Sequence, residues 1–373
     1  MVEIVLRKYG FNDEQIGNIL SSKMICDRNQ EILSRNIEEI FSFLESYGYL
    51  KNQIIDIFVL LPTICNYSVD NVKEKIENLI AIGHKKTQVI KMTSVEPSIY
   101  SNSILSINKR VNELESFGYT KSQVLKMLYY LPALYCYSLE NITSKIKDLE
   151  SCGYTRKEII KMTSSYPAIF SFSIENLKSK IDYMENIGYT KEQIMKMTVS
   201  LPQMYGYGTD NIKKKIDDLL ALGYSLPQII RMTSMMPSIY SYTIENMKQK
   251  ISDLEALGYT KEEIVSMSLS LPAIYSFTIE NIKEKIDYLK EIGIVDVILL
   301  NPKNLMQSVN LIYARYRFLI EDAGLSIDYS NAKYLFKDRK HFFGQFHVGN
   351  EELLERYNYD LEVRCKNKVL NKG

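Results

Sequence analysis

Residues 188–222 read GYTKEQIMKMTVSLPQMYGYGTDNIKKKIDDLLAL and contain the unit from which the chain is built. Thr190 is placed as a helix N-cap, and Gln193 three residues later completes a capping box. The helix ends at Pro202, because proline disfavours the α region for the residue before it. Between cap and proline the apolar residues fall on one helical stripe: Ile194, Met197 and Leu201.

A second, longer helix follows the proline turn. Leu139, Ile142 and Ile146 show its apolar stripe in another copy of the unit. A glycine then ends the helix in the C′ position, where a left-handed backbone is needed. The residue that caps the start of this helix is a hydroxyl residue in several copies: Ser138, Ser173, Thr243 and Thr278.

Glycine and proline recur in one register along the chain. Glycines stand every 35 residues at 48, 83, 118, 153, 188, 223, 258 and 293. Prolines stand in the same step at 62, 97, 132, 167, 202, 237 and 272. A fixed period of this length is typical of a solenoid, because one helix pair cannot bury its own apolar stripe. The sequence therefore predicts an all-α, helical-repeat solenoid of 35-residue helix–proline turn–helix units.

The repeat pattern weakens at both ends of the chain. Gly10 lies 38 rather than 35 residues before Gly48, and Pro302 follows Gly293 by only nine residues. The predicted organisation is a divergent N-terminal capping repeat at 1–47, seven repeats at 48–292, a shortened repeat at 293–323, and a C-terminal cap with a frayed end at 324–373.

Composition excludes several classes of protein. The 46 Lys and Arg residues against 45 Asp and Glu leave a formal charge of +1, so only the arrangement of the charges can identify a polyanionic partner. No apolar run reaches the length of a membrane span. The N-terminus carries acids and has no apolar segment typical of a targeting signal. The five cysteines are scattered and odd in number, which favours a reducing, intracellular compartment: Cys26, Cys65, Cys136, Cys152 and Cys365.

The repeat resembles that of the mitochondrial transcription termination factor (mTERF) family. Residues 271–293, LPAIYSFTIENIKEKIDYLKEIG, match the family unit almost throughout, and VLRKYGFNDEQIGNIL near the N-terminus is similar to the family's opening segment. The resemblance covers roughly residues 1–324. It implies a left-handed superhelix whose basic groove holds double-stranded DNA or structured RNA, in a mitochondrion or plastid. The absence of a visible transit peptide keeps a cytoplasmic location open.

Two columns of basic residues mark candidate nucleic-acid contacts on the second helices. The first column lies thirteen residues after each proline, about 60° from the centre of the apolar stripe. Stacked repeats would turn it into a ladder of positive charge for phosphates: Lys75, Arg110, Lys145, Lys180, Lys215, Lys250, Lys285 and Arg315. The second column lies two residues earlier, on the opposite flank of the stripe: Lys73, Lys178, Lys213, Lys248 and Lys283.

A structural interpretation of these lysines stays open. Their aliphatic stems can cover the edges of the core while their charges pair with acids such as Glu284 or Asp287. A third column, one residue after the cap of each first helix, opposes the helix dipole and so has no obvious role in helix stability: Lys51, Lys86, Lys121, Arg156, Lys191 and Lys261.

The sequence contains no phosphate-binding glycine loop, nucleophile motif or set of metal ligands. We therefore predict no catalytic residues, no metal, no cofactor and no small-molecule substrate. The predicted function is binding of nucleic acid, with double-stranded DNA favoured, in the regulation or termination of transcription. An array capped at both ends is most simply a monomer.

Three other functions remain open. The first is an RNA-binding factor in organellar RNA processing or ribosome assembly. The second is a protein-interaction scaffold without a nucleic-acid ligand, which the near-zero net charge favours. The third is catalysis by His341 and His347 in the C-terminal cap, although neither has a partner acid at a familiar spacing.

Overall fold

The structure is a computed structural model and describes residues 1–22 and 29–360 of the 373-residue chain. Every regular element within these residues is a helix. The predicted fold class, an all-α helical-repeat solenoid, is confirmed. Cys26, Cys365 and the predicted frayed end at 361–373 lie outside the described residues.

The first helix of each repeat is ten residues long. Thr190 and Gln193 form the predicted capping box, since the amide of Thr190 donates to Gln193 Oε1 at 2.8 Å and the amide of Gln193 donates to Thr190 Oγ1 at 3.2 Å. Each helix ends two residues before the repeat proline, as expected from proline geometry. The seven helices are Lys51–Leu60, Lys86–Val95, Lys121–Tyr130, Arg156–Ser165, Lys191–Ser200, Leu226–Met235 and Lys261–Ser270.

The proline turn, expected only as a short turn, is a 3₁₀ helix in every repeat. Proline suits the first position of a helix, because its fixed φ is already helical and its missing N–H would have had no partner there. The 3₁₀ helices are Pro62–Asn66, Pro97–Ser101, Pro132–Tyr135, Pro167–Ser171, Pro202–Gly206, Pro237–Ser241, Pro272–Ser276 and Pro302–Met306.

The second helices have thirteen or fourteen residues. Ser138 Oγ accepts the amide of Asn141 at 3.1 Å, as predicted for the cap. Gly188, with φ of 115°, follows the second helix of its repeat, and a Cβ there would lie 3.2 Å from Ile230 Cδ1. The second helices are Val69–Ile82, Ile104–Ser116, Leu139–Ser151, Ile174–Ile187, Thr209–Ala221, Ile244–Ala256 and Ile279–Glu291.

The two ends of the array differ from the repeats between them. In the described part of the segment before the first complete repeat, residues 1–22 and 29–47, the helices are Val2–Lys8, Asp13–Leu20 and Gln30–Tyr47. The predicted shortened copy has a first helix of only four residues, Val297–Leu300, followed after its 3₁₀ helix by Val309–Glu321. The C-terminal cap contains the helices Arg339–Phe346 and Asn350–Arg356.

The chain forms two compact units, which divide inside one repeat. The first unit contains residues 1–187 and 198–206, and the second contains residues 188–197 and the chain from 207 onward. Each unit has an apolar core of repeated positions, with Met92, Met127 and Met162 buried in the first and Met232 and Met267 buried in the second. The predicted boundaries at 47, 292 and 323 stay a prediction.

Candidate nucleic-acid interface

The first basic column of the second helices lies inside the repeat stack instead of on its surface. This column was expected to border the core and to form a ladder of positive charge along one side of the stack. Lys75 is 7% exposed and Arg315 is completely buried. Arg110, Lys215, Lys250 and Lys285 are also buried, and Lys145 and Lys180 are half-buried.

The cationic groups of this column donate hydrogen bonds to the next repeat. Lys75 Nζ and Lys180 Nζ reach the carbonyls of Tyr100 and Tyr205, which lie three residues after the next proline. Lys285 Nζ makes the equivalent bond to the Leu305 carbonyl at 2.5 Å. In three other repeats the bond reaches the carbonyl five residues after the proline: Arg110 to Tyr137, Lys145 to Phe172 and Lys215 to Tyr242.

These contacts account for the basic residue in six of the seven complete repeats. A 3₁₀ helix leaves carbonyl groups without partners at its end, and a long side chain from the preceding repeat supplies the donor. Aromatic rings complete the site, with Lys75 Nζ 4.9 Å from the centre of the Tyr67 ring and Lys180 Nζ 5.3 Å from that of Phe172. Burial lowers the pKa of the Lys75, Lys180, Lys215 and Lys285 ammonium groups. The column therefore joins successive repeats, and its contact with nucleic acid stays a prediction.

Arg315 makes the last contact of this kind, with the C-terminal cap as its acceptor. Its Nη1 donates to the Leu335 carbonyl at 2.9 Å and to the Lys337 carbonyl at 2.5 Å, and its Nη2 donates to Asn350 Oδ1 at 3.0 Å. The guanidinium also lies 4.3 Å from the centre of the Phe342 ring. Burial lowers the pKa of Arg315 to about 10.

The second basic column is exposed, but it lies beside a column of acids. Lys178 is about 90° from the centre of its buried stripe, whereas Glu175 is about 150° away and points outward. Lys213, Lys248 and Lys283 are exposed in the same way. The outward acid lies eight residues after the proline in six of seven repeats: Asp70, Glu140, Glu175, Asp210, Glu245 and Glu280. The outer face of the second helices is consequently acidic.

The first helices carry the basic outer face, and its main column was missed in the sequence. Lys91 lies about 150° from the centre of the stripe formed by Val89, Met92 and Thr93, so its side chain points away from the core. The column stands six residues before the proline in five consecutive repeats, all exposed: Lys91, Lys126, Lys161, Lys196 and Arg231. Counting backward from the prolines as well as forward would have found it.

The third basic column lies about 140° around the helix from this column, nearer to the core, as Lys86 does relative to Lys91. Its lysines are exposed, and Arg156 is half-buried. Some members also contact the end of an earlier second helix: Lys86 Nζ lies 4.4 Å from the centre of the Tyr47 ring, and Arg156 Nε donates to the Phe117 carbonyl at 3.2 Å. The helices Lys86–Val95 and Lys121–Tyr130 contain no acidic residue. The five first helices from Lys86–Val95 to Leu226–Met235 therefore contain more basic than acidic residues, although the net charge of the chain is close to zero.

Comparison with known families agrees with this architecture. The model of the mTERF family matches residues 1–147, 137–254 and 184–343. The chain belongs to the mTERF family. No curated protein sequence matches it.

Membership of the mTERF family indicates a nucleic-acid-binding protein that acts in the regulation or termination of transcription. The family is generally non-enzymatic and typically organellar. Within the described residues, no three His, Cys, Asp or Glu side chains are grouped as metal ligands, and none of the helices is long and apolar enough to cross a bilayer. His341 is exposed and its Nδ1 lies 2.5 Å from Oδ2 of Asp338, the N-cap of its helix. His347 is the C-cap of the same helix.

The turn aromatics of this mTERF protein pack between repeats. The hydroxyl of Tyr189 lies 2.6 Å from Thr233 Oγ1 and 2.7 Å from the hydroxyl of Tyr240, which is buried. The turn residue four positions after the proline also serves packing, since the hydroxyl of Tyr207 lies 2.8 Å from Ser241 Oγ. Both positions are used by contacts with the neighbouring repeat, so they are poor candidates for reading bases.

Proposed function

We propose that this protein binds nucleic acid through the outer face of its first helices. The observation that carries the proposal is the separation of exposed charge between the two kinds of helix. Lys91, Lys126 and Lys161 in the first unit point outward, and Lys196 and Arg231 do so in the second. A phosphate backbone on this face would release counterions on binding, which supplies most of the sequence-independent affinity.

Double-stranded DNA is the favoured ligand, in the regulation or termination of transcription. Successive first helices contact one another, for example Lys86–Val95 and Lys121–Tyr130. Packed helices lie about 8–10 Å apart, so their outward lysines would form a regular row of point charges. Such a row binds backbone phosphates and carries little base information. Structured RNA presents the same phosphates and is the alternative ligand.

The exposed lysines of the second helices remain a second candidate surface. Lys178, Lys213, Lys248 and Lys283 point to one flank of their helices, where outward acids weaken their attraction for phosphate. Six residues of the buried column would contact nucleic acid only by giving up their bonds to the next repeat, and Arg315 only by giving up its bonds to the C-terminal cap. Both sets are therefore weaker candidates for contact with nucleic acid than the outer face of the first helices. An mTERF protein of this kind would work in a mitochondrion or plastid, most simply as a monomer.

The proposal is tested by titrating labelled duplex DNA, duplex RNA and single-stranded RNA by fluorescence anisotropy at several salt concentrations. We expect duplex DNA to bind most tightly, with log affinity falling steeply and linearly with log salt. Tighter binding of duplex RNA would assign the protein to the RNA alternative. The absence of binding to all three ligands at low salt would overturn the nucleic-acid proposal.

A further inference from the structure

Three consecutive first helices end in a large, exposed apolar side chain. Leu60 is 63% exposed, Val95 is 64% exposed and Tyr130 is 61% exposed. Each is the last residue of its helix and stands two residues before the repeat proline. All three belong to the first compact unit. We call this set the apolar stripe.

The fold does not need apolar residues at this position. Other repeats have serine there, as Ser165, Ser200 and Ser270. Their first helices have the same length and the same proline turn as those of the apolar stripe. Because single apolar side chains are ordinary on a surface but adjoining ones mark interaction sites, the stripe points to a partner.

Charged residues stand one helical turn before the stripe. Lys91 precedes Val95 by four residues, and Lys126 precedes Tyr130 by four, so each pair lies on one side of its helix. In the first repeat the same place holds Asp56 in front of Leu60. Lys91 also links neighbouring repeats, with its Nζ 3.2 Å from the hydroxyl of Tyr129. A complementary partner is therefore apolar along the edge that meets the apolar stripe. It is acidic where it meets Lys91 and Lys126, and basic at the end that meets Asp56.

The spacing between adjacent first helices matches the rise of two turns of an α-helix in the partner. Adjacent first helices contact each other from Lys51–Leu60 through Lys86–Val95 to Lys121–Tyr130, and packed helices lie about 8–10 Å apart. Seven residues of an α-helix rise about 10.5 Å. We propose that the apolar stripe binds an amphipathic, acidic helix of a partner protein, which crosses the three first helices and places one apolar residue on each at a spacing of seven.

The partner helix needs about fifteen residues to span the stripe. Its two aliphatic contacts and one aromatic contact suit a protein side-chain surface better than nucleobases, which stack on successive aromatic rings. The row of outward lysines continues beyond the stripe to Lys161. Nucleic acid and the partner helix would therefore compete for Lys91 and Lys126 only.

The test selects peptides from a display library of random 18-residue helices against the full chain. We expect enriched sequences with apolar residues seven apart and acids beside them. The decisive variant is Leu60→Ser, Val95→Ser and Tyr130→Ser combined, since serine is the residue that this chain uses elsewhere. The selected peptides should bind this variant at least about tenfold more weakly, a loss of about 1.4 kcal/mol.

A matched control is Met235→Ser, which changes the equivalent position in the second unit, where Met235 is 50% exposed. This variant should bind the peptides like the unmodified chain. Selected peptides that bind the triple serine variant equally well would overturn the proposal. So would an equal loss of duplex DNA binding in that variant, because it would assign the stripe to the nucleic-acid surface. Circular dichroism and thermal melting confirm that each variant is folded.

Discussion

His84 Nε2 lies 2.9 Å from the hydroxyl of Tyr135, in the place where other repeats pair two tyrosines. One comparable pair in the first unit is Tyr154 and Tyr205, with their hydroxyl groups 2.5 Å apart. Thr198 accompanies that pair at 2.5 Å from the Tyr154 hydroxyl, whereas Leu128 occupies the corresponding position beside His84. The histidine thus introduces a titratable group into an otherwise neutral set of contacts.

Burial lowers the pKa of His84 to about 4, from an ordinary value of 6.5. The unfolded chain therefore binds a proton between pH 6.5 and 4 that the folded chain does not. The stability contributed by neutral His84 is complete above pH 6.5 and is lost as the pH falls toward 4. Urea unfolding should show that the wild type loses about 2 kcal/mol more than His84→Tyr between pH 7 and pH 5. Equal losses in the two proteins would contradict this prediction.

Phe170 breaks the tyrosine pattern in another repeat and offers a gain of stability. The hydroxyl of Tyr119 there lies 2.7 Å from Thr163 Oγ1, and Phe170 has no hydroxyl to offer it a second bond. Phe170→Tyr should complete the set and raise the free energy of unfolding by about 1 kcal/mol. Tyr205→Phe, the reverse change in the neighbouring repeat, should lower it by a similar amount. Thermal melting that ranks the two variants in the opposite order would refute the assignment.

Lys180 and Lys178 form a matched pair on one helix. Lys180 Nζ donates to the Tyr205 carbonyl, whereas Lys178 is exposed. Lys180→Met should lower the free energy of unfolding by about 1–3 kcal/mol, because it leaves a carbonyl without its donor. Lys178→Met should change it by less than about 0.5 kcal/mol. Chemical unfolding of both variants tests this contrast, and equal effects would remove the structural role given to the buried column.

The proposed nucleic-acid face predicts a change in salt dependence. The variant Lys91→Glu, Lys126→Glu and Lys161→Glu removes three outward cations of the first unit. The slope of log affinity against log salt for duplex DNA should become shallower by about 3. The control variant reverses Lys213, Lys248 and Lys283 on the second helices, and we expect a smaller change in slope. A larger effect of the control would move the interface to the second helices.

Local chemistry explains how much of the fold could be read from the sequence. Pro202 and Gly188 determine where helices stop, and Thr190 with Gln193 determines where one starts, so the helix–turn–helix unit was predictable. The 3₁₀ form of the turn was not, because its length depends on how the turn packs against its neighbour.

The candidate site was harder to predict for a related reason. Helical geometry placed Lys145 at the edge of the core, yet whether an ammonium group ends in water or on a carbonyl depends on the neighbouring repeat, here on Phe172. Lys91 lies in a column that is basic in five of seven repeats, whereas the buried column is basic in all eight copies. The less regular column gives the weaker signal in the sequence.

The forward hydrogen bond from the buried column has a consequence for how such a protein can evolve. In six of the seven complete repeats the column carries a donor for the repeat after it, such as Lys180, and the acceptor is a carbonyl of that next repeat, as the Phe172 carbonyl is for Lys145. A duplicated or deleted 35-residue unit therefore brings or removes one of each and leaves no bond unmatched. Only the last donor, Arg315, needs an acceptor outside the repeats, and the C-terminal cap supplies it. The number of repeats can thus change by whole units during evolution. The C-terminal cap and Arg315, which donates to it, have to be retained together.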